Sequence, residues 1–150
     1  MNHKGRLTRA QLALERRRLD ALVITHLPNI TYLCGFTGSA AVLIIGRGQG
    51  ERDRVFFTDG RYTQQARQEV KSARIKILPG KSAVVAASEW LAQQPSWRRI
   101  GIDPVHLTVA ERNLFAKPLR GKARLVETPA IVEQMRMVKD PEEIAKIRAA

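Results

Sequence analysis

Residues 40–58 read Ala-Ala-Val-Leu-Ile-Ile-Gly-Arg-Gly-Gln-Gly-Glu-Arg-Asp-Arg-Val-Phe-Phe-Thr and contain two apolar runs separated by a charged, glycine-rich segment. The runs, 40–46 and 54–58, are too short for helices and rich in β-branched or aromatic residues, so each predicts a buried strand. Because a parallel connection needs a dozen or more residues, the short segment between them excludes a crossover helix. The glycines at 46–50 favour a turn, and we predict an antiparallel hairpin.

Strands and helices alternate on both sides of this hairpin. Apolar or alternating runs predict further strands at 21–25, 74–78, 99–102 and 123–127. Helical patterns predict helices at 8–19, 60–70, 82–94 and from 108 to the residue before Pro118.

Capping signals mark two of these helix starts. Thr8 with Gln11, and Thr108 with Glu111, have the spacing of a capping box. Residues 26–39 contain Pro-Asn and two glycines and predict a loop.

This alternation predicts an α/β domain with three layers, α/β/α, around a mixed sheet of about six strands. The chain has 150 residues, of which 44% are hydrophobic, and this is enough for one full core. The basic run 16–18 lies on the polar side of the first helix, and we expect it outside the core.

Composition restricts the cellular setting and the partners. No segment approaches the roughly 20 apolar residues of a membrane span, and we expect no membrane partner. One cysteine, Cys34, excludes an internal disulfide framework and is typical of a reducing compartment, which predicts a cytoplasmic protein. The net charge of +12 is spread along the chain, and its densest run lacks interleaved aromatic residues. We therefore favour a solvated arginine-rich surface over a nucleic-acid site.

Residues 139–150, Lys-Asp-Pro-Glu-Glu-Ile-Ala-Lys-Ile-Arg-Ala-Ala, predict the start of another helix. Asp140 is a good N-cap and Pro141 suits the first helical position. Glu143 completes a capping box and places negative charge at the positive end of the helix dipole.

The same segment indicates a domain boundary. Ile144 and Ile147 begin an apolar stripe that the following residues do not continue. We therefore expect one domain at 1–135, and a linker with the first turns of a second domain at 136–150.

Two polar segments are candidate sites. Residues 25–39, Thr-His-Leu-Pro-Asn-Ile-Thr-Tyr-Leu-Cys-Gly-Phe-Thr-Gly-Ser, join two predicted strands without the glycine spacing of a phosphate loop. Residues 58–63, Thr-Asp-Gly-Arg-Tyr-Thr, lie between a strand and a helix. Asp59 can cap that helix, and Arg61 can bind a carboxylate from the protein or from a ligand. A structural role (turn, cap and internal salt bridge to Asp59 or Asp103) remains the alternative.

Metal and nucleophile chemistry has little support from the residues. His3, His26 and His106 stand far apart, with no histidine or cysteine at ligand spacing. His106 follows a turn and is interpreted as a surface or capping residue. Cys34 lies in an apolar context and predicts a buried thiol, not a nucleophile. We assign no catalytic residue and no metal ligand to this chain.

Four segments, in this order and spacing, resemble one family. They are Asp20-Ala-Leu-Val-Ile-Thr25, Asn29-Ile-Thr-Tyr-Leu-Cys-Gly-Phe-Thr-Gly-Ser39, Phe57-Thr-Asp-Gly-Arg-Tyr62 and Met137-Val-Lys-Asp-Pro-Glu-Glu-Ile-Ala-Lys-Ile-Arg148. Together they are similar to the N-terminal domain of the creatinase/prolidase/Xaa-Pro aminopeptidase group, the "pita-bread" metallopeptidases. Residues 106–111 add a weaker match.

The resemblance implies a mixed sheet flanked by helices, similar to ribonuclease H domains. It implies that the parent protein is a metal-dependent exopeptidase for Xaa-Pro bonds, either an aminopeptidase or a dipeptidase. It also implies that residues from Asp140 onward lead into a catalytic domain. There, two divalent ions (manganese, cobalt or zinc) are held by two aspartates, one histidine and two glutamates, none of them in this chain. The chain itself is then not catalytic and needs no cofactor.

The resemblance further implies an accessory role in dimerisation and in covering the active site. The expected partners are the protein's own C-terminal catalytic domain, a second copy in a homodimer, and short proline-containing peptides. The matched segments supply residues that we expect at the rim of the active site: Asn29, Tyr32, Phe36, Thr37, Ser39, Asp59, Arg61 and Tyr62.

Two other classes of protein remain open. One is a creatinase-like or non-catalytic relative, which would share the same domain. The other is a basic, nucleic-acid-binding α/β module.

Overall fold

The two strands of the predicted hairpin pair antiparallel in the middle of a six-stranded mixed sheet. In the computed structural model, which describes residues 1–48 and 50–150, the sheet order is β4-β3-β2-β1-β5-β6. The strands are β1 Ala21–Ile24, β2 Val42–Gly46, β3 Arg54–Thr58, β4 Arg74–Ile77, β5 Arg99–Ile102 and β6 Arg124–Glu127. The predicted turn at 46–50 includes Gln49, which lies outside the described residues.

Strand β2 gives the sheet its mixed character. It runs antiparallel to both β1 and β3, whereas the pairs β3–β4, β1–β5 and β5–β6 are parallel. The predicted fold class, a mixed α/β sheet with helices on both faces, is confirmed.

Helices cover the two faces of the sheet. They are α1 His3–Arg16, α2 Leu27–Cys34, α3 Thr63–Glu69, α4 Ala83–Ala92, α5 Val109–Leu119, α6 Ile131–Met137 and α7 Pro141–Ala149, with short 3₁₀ turns at Glu51–Asp53 and Gly60–Tyr62. None of the described helices has both the length and the apolar character needed to cross a bilayer.

Alternate side chains of β2 enter two separate cores. Leu43 and Ile45 pack in a cluster with residues of α1 and α2, whereas Val42 and Ile44 pack with residues of α4 and α5. All four side chains are fully buried. This alternation is what places one layer of helices on each side of the sheet.

The predicted start of the first helix is wrong. Helix α1 begins at His3, because the side chain of Asn2 accepts a hydrogen bond from the Gly5 backbone N–H and caps it. Thr8 is therefore inside the helix, where its hydroxyl donates to the Lys4 carbonyl instead of accepting a backbone N–H as a cap would. The predicted capping box at Thr8 and Gln11 does not form.

The predicted loop at 26–39 contains helix α2. Pro28 lies in its first turn, where the missing N–H is not needed, and Gly35 ends it in the left-handed region at φ 89°. The residues that suggested a loop are therefore helix start and stop signals.

Two details of the C-terminal half also differ from the prediction. Helix α5 has the predicted capping box at Thr108 and Glu111, but it continues through Pro118 to Leu119. Helix α6 was not predicted. The capping box at Asp140 and Glu143 is confirmed, as is the exposure of the basic run 16–18.

The first prediction concerns Gly101 in β5. A Cβ atom there would lie 2.9 Å from Leu19 Cδ1 and 2.9 Å from Thr128 Oγ1, closer than packed side chains allow. We expect Gly101→Ala to destabilise the fold by about 1–3 kcal/mol and to lower the Tm by about 3–10 °C. Gly60→Ala is the matched control, because a Cβ at that position would have no atom within 4 Å of it. Equal melting temperatures for the two variants would contradict this interpretation.

Candidate functional site

A groove of about 400 Å³ lies at one edge of the sheet, beyond the carboxyl ends of β1 and β3. These two strands run in the same direction because each is antiparallel to β2. Ligands of α/β proteins bind preferentially at the carboxyl ends of such strands. The groove is lined by Thr25, Leu27, Ser39, Ala40, Ala41, Asp59, Arg61, Ser82, Ala83, Val84 and Glu111. Hereafter it is called the rim groove.

The salt bridge between Arg61 and Asp59 organises one wall of the rim groove. Asp59 Oδ1 accepts from Arg61 Nε at 2.9 Å and from its backbone N–H at 3.0 Å, and Oδ2 accepts from Nη2 at 2.9 Å. These hydrogen bonds from Arg61 lower the pKa of Asp59. The internal salt bridge predicted as the alternative is thus present, with Asp59 and not Asp103 as its partner.

The Arg61 side chain nevertheless stays 71% exposed. Its carboxylate partner occupies only one edge of the planar guanidinium, and the remaining N–H groups point away from Asp59. The residue is therefore held in one orientation and can still donate to a second carboxylate.

Ser39 and Tyr62 connect this wall to the interior. Their hydroxyl groups form a hydrogen bond, which lowers the pKa of Tyr62. The Tyr62 ring packs edge-on against Phe36, with ring centroids 5.6 Å apart. Gly38 is required beside them, because a Cβ there would lie 2.2 Å from Phe36 Cζ.

Thr37 attaches the same loop to α3. Its backbone N–H donates to Glu69 Oε2 at 2.8 Å, and its hydroxyl donates to Glu69 Oε1 at 2.8 Å. Gln65 donates to both residues and completes the network. The exposed end of the loop is therefore fixed by side-chain hydrogen bonds.

Three of the predicted rim residues face the interior instead. Phe36 is 1% exposed and Asn29 is 2% exposed. Tyr32 is also buried, and its hydroxyl donates to the Met135 carbonyl at 3.3 Å and accepts from Arg9 at 3.1 Å. The structure thus places Ser39, Asp59 and Arg61 at the groove, with Tyr62 bonded to Ser39 and Thr37 in the same loop, whereas Asn29, Tyr32 and Phe36 are buried.

The sequence did not indicate the role of Arg6. This buried side chain donates to the Tyr32 carbonyl at 2.9 Å and lies 4.0 Å above the Tyr32 ring. Its Nη2 also pairs with Asp140 at 2.5 Å and with Glu143 at 3.1 Å. The Glu143 backbone N–H and Arg6 together lower the pKa of Asp140. Arg6 therefore joins α1, α2 and the start of α7.

A second polar cluster lies beyond the carboxyl end of β5. His106 Nδ1 is 2.6 Å from Asp103 Oδ2 and 3.5 Å from Glu133 Oε1. The His26 ring stacks on His106 with centroids 3.7 Å apart. Burial and the neighbouring His106 lower the pKa of His26. Within the described residues these three side chains, all of types that can ligate a metal, have their ligand atoms within 4.8 Å of one another. Sequence spacing gave no sign of it, because α6 supplies one member from far along the chain.

Cys34 is a buried thiol, as predicted. Its side chain has no exposure, and burial raises its pKa to about 12. A thiol in this state is a poor nucleophile near neutral pH, because the thiolate is the reactive form.

Comparison with known proteins shows similarity to peptidases, several of them named for Xaa-Pro bonds. A family model described as the creatinase/prolidase N-terminal domain matches residues 6–138. The uncharacterized peptidase YqhT of Bacillus subtilis is 28% identical over 132 residues, which cover 88% of this chain and 35% of YqhT. A probable Xaa-Pro aminopeptidase P of Phaeosphaeria nodorum is 28% identical over 118 residues, which cover 78% of this chain and 16% of that protein. The chain thus spans about a third or less of these relatives.

A solved structure of similar size shows the same fold. The N-terminal domain of the cytoplasmic peptidase PepQ from Mycobacterium tuberculosis superposes with a TM-score of 0.78 at 29% identity. The match covers 88% of this chain and 98% of that domain.

The second prediction concerns the thiol of Cys34. Because burial holds the thiol protonated, we expect the folded chain to react with a disulfide reagent at about pH 8 more than about 100-fold slower than the chain unfolded in guanidinium chloride. The release of the reagent's thiolate, followed by absorbance, measures both rates. Similar rates in the two states would contradict the buried, protonated thiol.

Proposed function

Because the chain belongs to the creatinase/prolidase N-terminal domain family, we propose that it is the N-terminal part of a peptidase acting on Xaa-Pro bonds. The family match over residues 6–138 and the Xaa-Pro aminopeptidase among its relatives support this proposal. The proposal covers aminopeptidase and dipeptidase alike, because the matched segments are common to both.

The observation that carries the proposal is the oriented, exposed guanidinium of Arg61 at the rim groove. A short peptide ending near proline has a free carboxylate, which an arginine binds with two parallel hydrogen bonds. Asp59 fixes one edge of the guanidinium, so less conformational entropy is lost when the other edge binds. We assign Arg61 to substrate carboxylate recognition and Tyr62, Ser39 and Asp59 to shaping the rim.

The start of α4 adds to the favourable electrostatics of the groove. Ser82, Ala83 and Val84 line it, and the N-terminus of a helix carries partial positive charge. An anionic substrate group beside Arg61 would therefore meet two sources of positive potential. The two carboxylates that also line the groove are bonded elsewhere, Asp59 to Arg61 and Glu111 to Thr108. Asn29, Tyr32 and Phe36 are buried, and we assign them a supporting role behind the rim.

The hydrolytic chemistry belongs to a catalytic domain that follows this one. When bound there, a pair of divalent ions (manganese, cobalt or zinc) would supply an activated hydroxide and polarise the scissile carbonyl. Such a pair needs five protein ligands, whereas the described residues bring only three metal-binding side chains together. We therefore assign no catalytic step to residues 1–150.

Residues 136–150 support the link to that domain. Met137, Val138 and Ile147 are 76%, 70% and 61% exposed, an apolar surface suited to packing against further chain. We propose a domain at 1–135 and an entry to the catalytic domain at 136–150, with the catalytic domain and a second copy of the protein as partners. A cytoplasmic location is also proposed, and the likeness to a cytoplasmic peptidase supports it.

The third prediction is that the 150-residue chain alone has no peptidase activity. The described residues lack a five-ligand metal set, so added manganese should not produce proline release from an Xaa-Pro dipeptide or cleavage of an Xaa-Pro-Yaa tripeptide. Release of proline or of the N-terminal residue is measured on purified protein. Activity that is lost on chelation and returns with metal would refute the assignment of catalysis to another domain.

The fourth prediction tests Arg61 in the full-length protein. Arg61→Ala removes the donor to the substrate carboxylate, and we expect kcat/KM to fall about 10- to 100-fold, with KM raised. The Tm should stay nearly unchanged because the side chain is largely exposed. Arg67→Ala, which removes another exposed arginine outside the groove, is the matched control and should leave kinetics unchanged.

Two outcomes would contradict the role of Arg61. One is a variant that melts several degrees lower with normal kinetics per folded molecule, which would make the residue structural. The other is an equal loss in Arg67→Ala, which would indicate a general effect of charge.

A further inference from the structure

We propose that Asp103, His106 and Glu133 form a binding site for one divalent transition-metal ion, with Zn²⁺ as the ion that best fits the donors. The inference does not depend on the peptidase function. It rests on the proximity of the three side chains, on the groups that orient them, and on a small cavity lined by two of them, Asp103 and Glu133.

The three candidate donor atoms are close together. They all lie within 4.8 Å of one another, and His106 Nδ1 stands between the two carboxylates. Tetrahedral Zn²⁺ with ligands at about 2.0–2.2 Å keeps its donor atoms about 3.3–3.5 Å apart. The distance of 3.5 Å from His106 to Glu133 already meets this spacing. The distance of 2.6 Å from His106 to Asp103 requires only a small rotation of Asp103, a partly exposed side chain in a loop.

Each carboxylate is oriented by a neighbour outside the donor set. Asp103 Oδ1 accepts the Val105 backbone N–H at 2.9 Å, which leaves Oδ2 directed at His106. Glu133 Oε1 accepts from Asn29 Nδ2 at 2.6 Å, and Arg136 in turn fixes the Asn29 side chain at 3.0 Å. Protein metal sites depend on such outer hydrogen bonds to hold their ligands.

A cavity of about 10 Å³ adjoins the cluster and is lined in part by His26, Asn29, Asp103 and Glu133. This volume is close to that needed for a single water molecule. A three-ligand zinc site keeps its fourth position for water. The cavity touches two of the three proposed ligands, Asp103 and Glu133, and is about the size of that water.

Charge also favours a cation at this point. Two carboxylates meet at one imidazole in a half-buried position, and the neighbouring Arg136 bonds to Asn29 and to neither carboxylate among the described residues. A divalent ion bound to the three side chains would offset the charge of both carboxylates. Nitrogen and oxygen donors in a mixed set are typical of zinc and its transition-metal neighbours.

The ion would join two parts of the fold. Asp103 and His106 belong to the loop after β5, whereas Glu133 lies in the first turn of α6. Bound metal would therefore fix α6, and with it the segment leading to Asp140, against the carboxyl edge of the sheet. Metal binding should consequently raise the thermal stability of the chain.

The test is a titration of the 150-residue chain with ZnCl₂ after treatment with a chelator and dialysis. We expect about one Zn²⁺ per chain by calorimetry, and a higher Tm with saturating Zn²⁺. His106→Ala and Glu133→Gln should each weaken Zn²⁺ binding at least about tenfold and abolish the rise in Tm. Circular dichroism without metal confirms that both variants are folded.

Two control variants separate this site from other sources of affinity. His3→Ala removes a histidine near the amino terminus, and Glu15→Gln removes an exposed carboxylate on α1; both should bind Zn²⁺ like the unaltered chain. The proposal is overturned by binding well below one ion per chain, by unchanged affinity in His106→Ala, or by affinity that is lost in His3→Ala.

Discussion

The burial of the central strands on both faces is the constraint on which the rest of this structure depends. In β2 each residue from Val42 to Ile45 is fully buried, with successive side chains in opposite cores. Burying one such side chain stabilises a fold by about 1.5–3 kcal/mol, so this strand alone contributes an amount comparable to the net stability of a typical domain. The gain is realised only if helices cover both sides. Helices α1 and α2 supply one layer, and α4 and α5 supply the other.

A strand that is apolar on both faces does not fix its own register, because a slip by one residue exchanges one apolar side chain for another. In this sheet the register is fixed by polar and steric contacts at the strand ends. The Asp20 carboxylate accepts the backbone N–H groups of Arg98 and Arg99 at 2.8 and 2.9 Å, which aligns β1 with β5. At the end of β2, a Cβ on Gly46 would lie 2.5 Å from the Trp97 ring, so only glycine fits at this register position.

The strands could be predicted from sequence because each is a short, local run of apolar or alternating residues. The capping boxes at Thr108 and Asp140 were predictable for the same reason, since their partners are three residues apart. The helix start predicted at Thr8 was wrong because Asn2, an equally good N-cap residue, precedes it in the chain and caps the helix. The candidate sites were harder to predict from the sequence. Contacts such as Arg6 with Asp140, 134 residues apart, arise only when the sheet brings distant segments to one edge.

Helix α2 explains why one matched segment contains both buried and exposed residues. Its buried side, with Asn29 and Tyr32, bonds to α6 through Glu133, Arg136 and the Met135 carbonyl. The loop that leaves its C-terminus carries Thr37 and Ser39 to the surface, where they bond to Glu69 and Tyr62. One short element thus sets the position of the rim groove relative to the segment that leads to Asp140. The buried members of the segment can therefore matter for a site at the rim without touching a ligand, because they determine where the exposed members stand.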